Sequence, residues 1–154
     1  MKKIISIGLI AFTLFSCNSD EVIHGFNYDA TLNIAVTNSN GLDLLNPTNS
    51  DAFDQSKIKI LYLVKGKLIQ GDGGGTDNPR NFAIFKQDNR YVMRVFLNSS
   101  EEEQYPETYI QWTESNTDIL KIEYSRSANS VSKKTVWLNN ELVSTINPYL
   151  KIVK

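Results

Sequence analysis

The sequence contains one cysteine, and its position decides which thiol chemistry is open to it. Cys17 follows Leu14-Phe15-Ser16 at the close of an apolar run, residues 4–15, that is itself preceded by Lys2 and Lys3. A positive segment, a short apolar segment and a small residue before the cut make a secretory signal. Residues 4–15 are too few for a membrane span, which needs about 20 apolar residues to cross a roughly 30 Å hydrocarbon core. A thiolate can become a thioether to diacylglycerol, and small Ser16 suits the peptidase subsite before the cut. The chemistry expected of Cys17 is therefore lipidation after cleavage on its N-terminal side. Two or more acyl chains would make that anchor permanent. No thiol then remains for a disulfide or for nucleophilic catalysis. His24 is the sole histidine and falls in a tether. A Ser/His/Asp triad thus lacks its base, and a transition-metal site lacks its usual ligands.

The carboxylates offer two further chemistries. Gly73-Gly74-Gly75-Thr76-Asp77 lacks the Gly-Lys-Ser/Thr and following helix of a phosphate loop. It is also a single copy, where a calcium β-roll repeats its nonapeptide. Asp72 and Asp77 could offer oxygens to Ca²⁺, but a hairpin loop accounts for the stretch. Asp43, Asn46, Asp51 and Asp54 make a second oxygen-rich stretch, of the kind that caps turns through its own side chains. No metal site and no cofactor is expected from either. A glycoside-hydrolase pair could be drawn from Glu107, Glu114, Asp118 or Glu123 if two of them shared a cleft. Otherwise these residues, like Glu101-Glu102-Glu103, are a solvated rim. The aromatic residues give the best pointer to binding. Phe85, Phe96, Tyr109 and Trp137 fall opposite the apolar faces of their segments and could stack on sugar rings or on a partner protein. Trp112 shares a face with Ile110 and belongs to the core.

The elements that must position these side chains are strands. Leu32, Ile34 and Val36 alternate with polar or small residues, as a half-buried strand requires. Residues 57–70 carry apolar residues on both faces, Ile58, Ile60, Tyr62 and Val64 against Leu61 and Leu63, which suggests a central strand. Lys65-Gly66 within it reads as a bulge or tight turn. Residues 82–86 and 91–97 flank Gln87-Asp88-Asn89-Arg90, with Tyr91, Met93, Val95 and Leu97 inward. Residues 109–113 and 119–124 flank a second turn. Residues 135–138 and 141–146 flank Asn139-Asn140, a two-residue loop suited to a primed turn. A last strand runs over residues 149–153. No stretch has a helical period. The fold expected is an all-β antiparallel β-sandwich of about eight or nine short strands, with an open β-barrel as the alternative.

Cys17-Asn18-Ser19-Asp20-Glu21 resembles the start of a Bacteroidetes-type outer-membrane lipoprotein. In that group, acidic residues just after the cysteine act as a surface-export tag. The resemblance implies that Asp20 and Glu21 are such a tag and that the protein is lipid-anchored in the outer membrane at the cell surface, with a periplasmic facing as the alternative. It carries no catalytic information. The layout expected is a signal over residues 1–16, a lipidated tether over 17–27 and one domain over 28–154, large enough for a single core. Without Lys2 and Lys3 the sequence keeps 14 basic against 17 acidic side chains, a formal net charge of −3. Such a balance offers no excess of positive charge for nucleic acid. The expected role is non-enzymatic: a binding or accessory module that contacts a glycan or another envelope protein. A structural envelope component without ligand is the second reading, and a carboxylate-pair hydrolase the third.

Overall fold

The structure, a computed structural model, describes residues 25–71 and 78–154. Cys17, Asp20, Glu21, His24, Asp72 and Asp77, to which roles are given above, lie outside the described residues. The chain forms β1 (Asn27–Asp29), β2 (Thr31–Thr37), β3 (Lys59–Val64), β4 (Lys67–Gln70), β5 (Phe82–Gln87), β6 (Arg90–Phe96), β7 (Glu107–Thr113), β8 (Asn116–Ser127), β9 (Ser130–Leu138), β10 (Glu141–Leu142) and β11 (Leu150–Val153). No helix occurs among the described residues.

These strands build two sheets. The large one has the order β1-β9-β8-β7-β3-β4, with β10 also on β9; the small one has the order β11-β2-β6-β5. Their inner faces meet in one core, so the fold is a β-sandwich, and neither sheet closes on itself. Two features differ from expectation. Eleven strands are present among the described residues, and the sheets are mixed rather than purely antiparallel. β1 runs parallel to β9, and β11 runs parallel to β2. Each pair joins segments far apart in sequence, so neither needs a tight turn and neither leaves a local signature.

Alternation along the strands decides what lies between the sheets. The small sheet contributes Ile34, Val36, Met93 and Val95; the large one contributes Ile60, Ile110, Trp112, Leu120 and Ile122. Each has at most 1% of its surface exposed, and fully burying one such side chain is worth about 1.5–3 kcal/mol. Leu44, Leu45 and Ile58, on the connection between β2 and β3, plug one flank of the same core. The turns follow their residue types. Lys65 and Gly66 both have positive φ (51° and 75°), as do Asn139 and Asn140 (51° and 70°). This is the signature of primed two-residue hairpin turns, whose twist matches the flanking strands. The Lys65-Gly66 pair is thus the turn that separates β3 from β4.

In the oxygen-rich stretch over residues 43–54, Asp43, Asn46 and Asp54 hold local turns, and Asp43 also ties the connection to β6. Asp43 Oδ1 accepts from the Leu45 N–H at 2.9 Å, and its Oδ2 accepts from the Tyr91 N–H at 2.8 Å. Asn46 accepts from the Thr48 N–H and hydroxyl. Asp54 accepts from the Ser56 hydroxyl and N–H, which hold its carboxyl below the ordinary value. These are the side chain-to-backbone bonds that make Asp and Asn good turn residues.

At one end of the sandwich a buried polar knot ties the two sheets together. Asp118, 3% exposed, accepts from Trp112 Nε1 at 2.7 Å, Asn139 Nδ2 at 2.9 Å and Lys154 Nζ at 2.6 Å. Lys154 Nζ also donates to Asn116 Oδ1, and its backbone N–H to Thr37 of β2. Burial works against the charge on Asp118, but the donors outweigh it and leave the carboxyl below its ordinary value.

Candidate binding face

Four of the sequence-derived carboxylates can be placed first. Asp118 points into the core and is fully engaged, as described. Glu114 is exposed at the β7–β8 turn. Glu107 and Glu123 lie on the outer face of the large sheet, where Glu107 sits opposite Lys121 across the β7–β8 ladder and Glu123 sits opposite Thr135 across the β8–β9 ladder. Lys134 Nζ at 2.6 Å and the Thr135 hydroxyl at 2.8 Å hold Glu123 below its ordinary pKa, and the same contact raises Lys134. Glu123 therefore keeps its charge at neutral pH, whereas a glycosidase acid must hold a proton there.

The four candidate aromatics separate into two pairs, one on each side of the molecule. Phe85 and Phe96 belong to β5 and β6 of the small sheet; Tyr109 and Trp137 belong to β7 and β9 of the large sheet. All four are partly exposed, but they do not form one patch. Trp112 is fully buried, stacked on Phe53 with ring centroids 5.1 Å apart.

The outer face of the large sheet brings together more than the sequence suggests. One cross-strand row, read from the pairings, runs Leu68, Leu63, Glu107, Lys121, Trp137 and Leu142. The next row holds Leu61, Tyr109 and Ile119. Tyr105, on the connection from β6, lies edge-to-face on Trp137 with centroids 5.8 Å apart. Tyr109 donates to Glu107 Oε2 at 3.0 Å; its partial burial, reinforced by that carboxylate, raises the phenol above its ordinary pKa. Lys121 Nζ stands 4.0 Å from Glu107 Oε1 and donates to Asn140 at 3.0 Å. A shallow depression of about 300 Å³ opens here, lined by Leu63, Glu103, Gln104, Tyr105, Glu107 and Lys121.

Tyr105, Gln104 and Lys121 are the residues that sequence reasoning passes over. Tyr105 sits in an acidic loop with no periodicity to assign it a face. Lys121 stands among the inward-facing residues of β8 and reads as its solvated alternate. The pairing of β8 with β9 puts Lys121 beside Trp137, and the loop after β6 folds Tyr105 onto the same ring. The arrangement can offer flat rings, one carboxylate and one ammonium to the same small polar molecule. No protein-family model matches this chain, and no curated protein or solved structure matches it either.

Proposed function

We propose that the protein is a non-enzymatic outer-membrane lipoprotein, anchored through Cys17 and facing the cell surface, whose domain binds glycans on the outer face of its large sheet. The observation that carries this reading is the joining of Trp137, Tyr105 and Tyr109 with the Glu107–Lys121 pair on one exposed surface. A sugar ring presents apolar C–H faces and a rim of hydroxyls. Aromatic side chains suit the faces, and a carboxylate and an ammonium suit the hydroxyls as acceptor and donor. A dry protein–protein core would instead be depleted of such charges.

The test is a glycan array probed with the lipid-free Cys17→Ala chain, followed by titration of any glycan retained. Trp137→Ala should weaken binding by about tenfold or more, as loss of an aromatic anchor does. A blank array, or equal binding by Trp137→Ala, would remove the reading. Anchoring has its own check. Cys17→Ala should move the protein from the membrane to the soluble fraction, and continued membrane fractionation would exclude Cys17 as the anchor.

A further inference from the structure

We infer that the outer face of the small sheet is a docking surface for anionic lipid head groups, so that the sandwich lies on the membrane through that sheet and turns its large sheet away. The first support is the distribution of charge. The outer face of strands β2, β5, β6 and β11 carries Arg90, Arg94 and Lys151 and no Asp or Glu, while Lys86, paired with inward-facing Tyr91, stands on the other side. The full sequence has 16 basic and 17 acidic side chains, so this sheet is a strong local departure from the average. On and around the large sheet, by contrast, Asp29, Glu101, Glu102, Glu107 and Glu123 each meet a lysine or arginine. None of these three outward cations forms an ion pair with a carboxylate among the described residues.

The second support is how those cations are held. Met93 and Val95 of β6, and Leu150 and Ile152 of β11, face the core, so alternation turns Arg94 and Lys151 outward. The Arg94 guanidinium carbon lies 5.3 Å from the Phe85 ring centroid, and its Nε donates to Asn33 Oδ1 at 3.2 Å. The Arg90 guanidinium lies 5.4 Å from the Tyr149 ring. Val92 and Ala35 point to this same side, yet Val92 is 0% and Ala35 3% exposed: the outer surface is roofed by longer side chains. A guanidinium stacked on a ring keeps N–H groups free in a fixed plane, ready for a phosphate oxygen pair.

The two guanidiniums are thus oriented before any ligand arrives, and a phosphate-bearing surface is their complement. Phe85, grouped above with candidate sugar-stacking rings, here serves as the shelf under Arg94. The ten residues from Cys17 to Asn27 span at most about 36 Å when fully extended. The tether therefore permits either face to reach the bilayer, and charge makes the choice. The inference rests on the proposed anchor only for which membrane is near; attraction to anionic lipid belongs to the domain itself.

Co-sedimentation of the lipid-free Cys17→Ala chain, made without residues 1–16, with vesicles tests it directly. Vesicles of equal parts phosphatidylcholine and phosphatidylglycerol should retain the protein at low salt and release it as salt rises, while pure phosphatidylcholine should not retain it. Lys151→Glu, at an exposed position, should weaken retention by about fivefold or more, and Arg94→Glu likewise. Lys59→Glu makes the same charge change on the large sheet and should leave retention unchanged. A thermal melt of each variant separates loss of binding from loss of fold. Equal retention by both vesicle types, no retention by either, or indifference to Lys151→Glu and Arg94→Glu would overturn the proposal. So would capture by an acidic polysaccharide such as polygalacturonate in place of the vesicles. A blank glycan array beside lipid retention would remove the sugar reading and leave this one standing.

Discussion

Asp118→Ala is expected to lower the stability of the domain by about 3–5 kcal/mol, the range for breaking a buried ion pair and leaving one partner uncompensated. The substitution strands Lys154, whose side chain is only 18% exposed, and removes the acceptor for the Trp112 and Asn139 donors. For a domain of this size the melting temperature should fall by on the order of 10 °C. The pH dependence follows from the direction of the shift. The folded carboxyl lies below its ordinary value. Its contribution is therefore present at neutral pH and is lost as pH falls through the ordinary carboxylate range, near about 4, toward the lower folded value. Denaturant unfolding from about pH 7 down to about pH 3 should show the wild type losing stability along the way. Asp118→Asn should follow a flatter course from a lower start. Parallel slopes would place the acid sensitivity elsewhere.

Trp112→Ala should cost a similar amount, about 3–5 kcal/mol, by emptying the largest fully buried side chain of the core. Part of that loss is packing against Phe53, and part is the hydrogen bond to Asp118. Trp112→Phe separates the two. It keeps a ring for Phe53 and loses the N–H donor with part of the indole volume, so about 1.5–3 kcal/mol should go with a bond to a charged acceptor, beside a smaller cavity cost. Urea midpoints at constant slope give both numbers. If Trp112→Phe is as damaging as Trp112→Ala, the hydrogen bond dominates, and the Phe53 stack contributes little.

Much of the strand pattern is legible in the sequence, because burial on one face writes itself as alternation. Leu32-Ile34-Val36 and Tyr91-Met93-Val95-Leu97 announce β2 and β6, and Asn139-Asn140 announces the turn after β9. The reach of β8 and β9 is not announced. Residues 125–134 are almost wholly polar, yet Ser125–Ser127 and Ser130–Ser132 pair across a two-residue turn at residues 128–129. This outer part of the hairpin is held by ladder hydrogen bonds, to which hydropathy is blind. The parallel partners of β1 and β11 are hidden for a different reason, since a strand's own residues do not name a partner that lies most of the chain away.

The same division runs through the candidate face. That Tyr109 and Trp137 point outward follows from Ile110 and Val136 pointing inward. That they share a sheet, while Phe85 and Phe96 lie on the other, depends on strand order, which periodicity does not carry. Likewise, the absence of acids from β2, β5, β6 and β11 is written in the sequence but invisible until those four strands are known to be neighbours.

The parallel pairing of the outermost strands also governs when the protein can finish folding. Asn27 meets Ser130, 103 positions later, and Leu150 meets Ile34. Hairpins such as β5–β6 can close as soon as they are synthesised, since they enclose only a short loop. Each sheet, however, waits for a strand from the opposite end of the chain, and closing so long a loop costs entropy before any contact offsets it. Both layers are therefore finished by long-range capture of a strand rather than by a local hairpin.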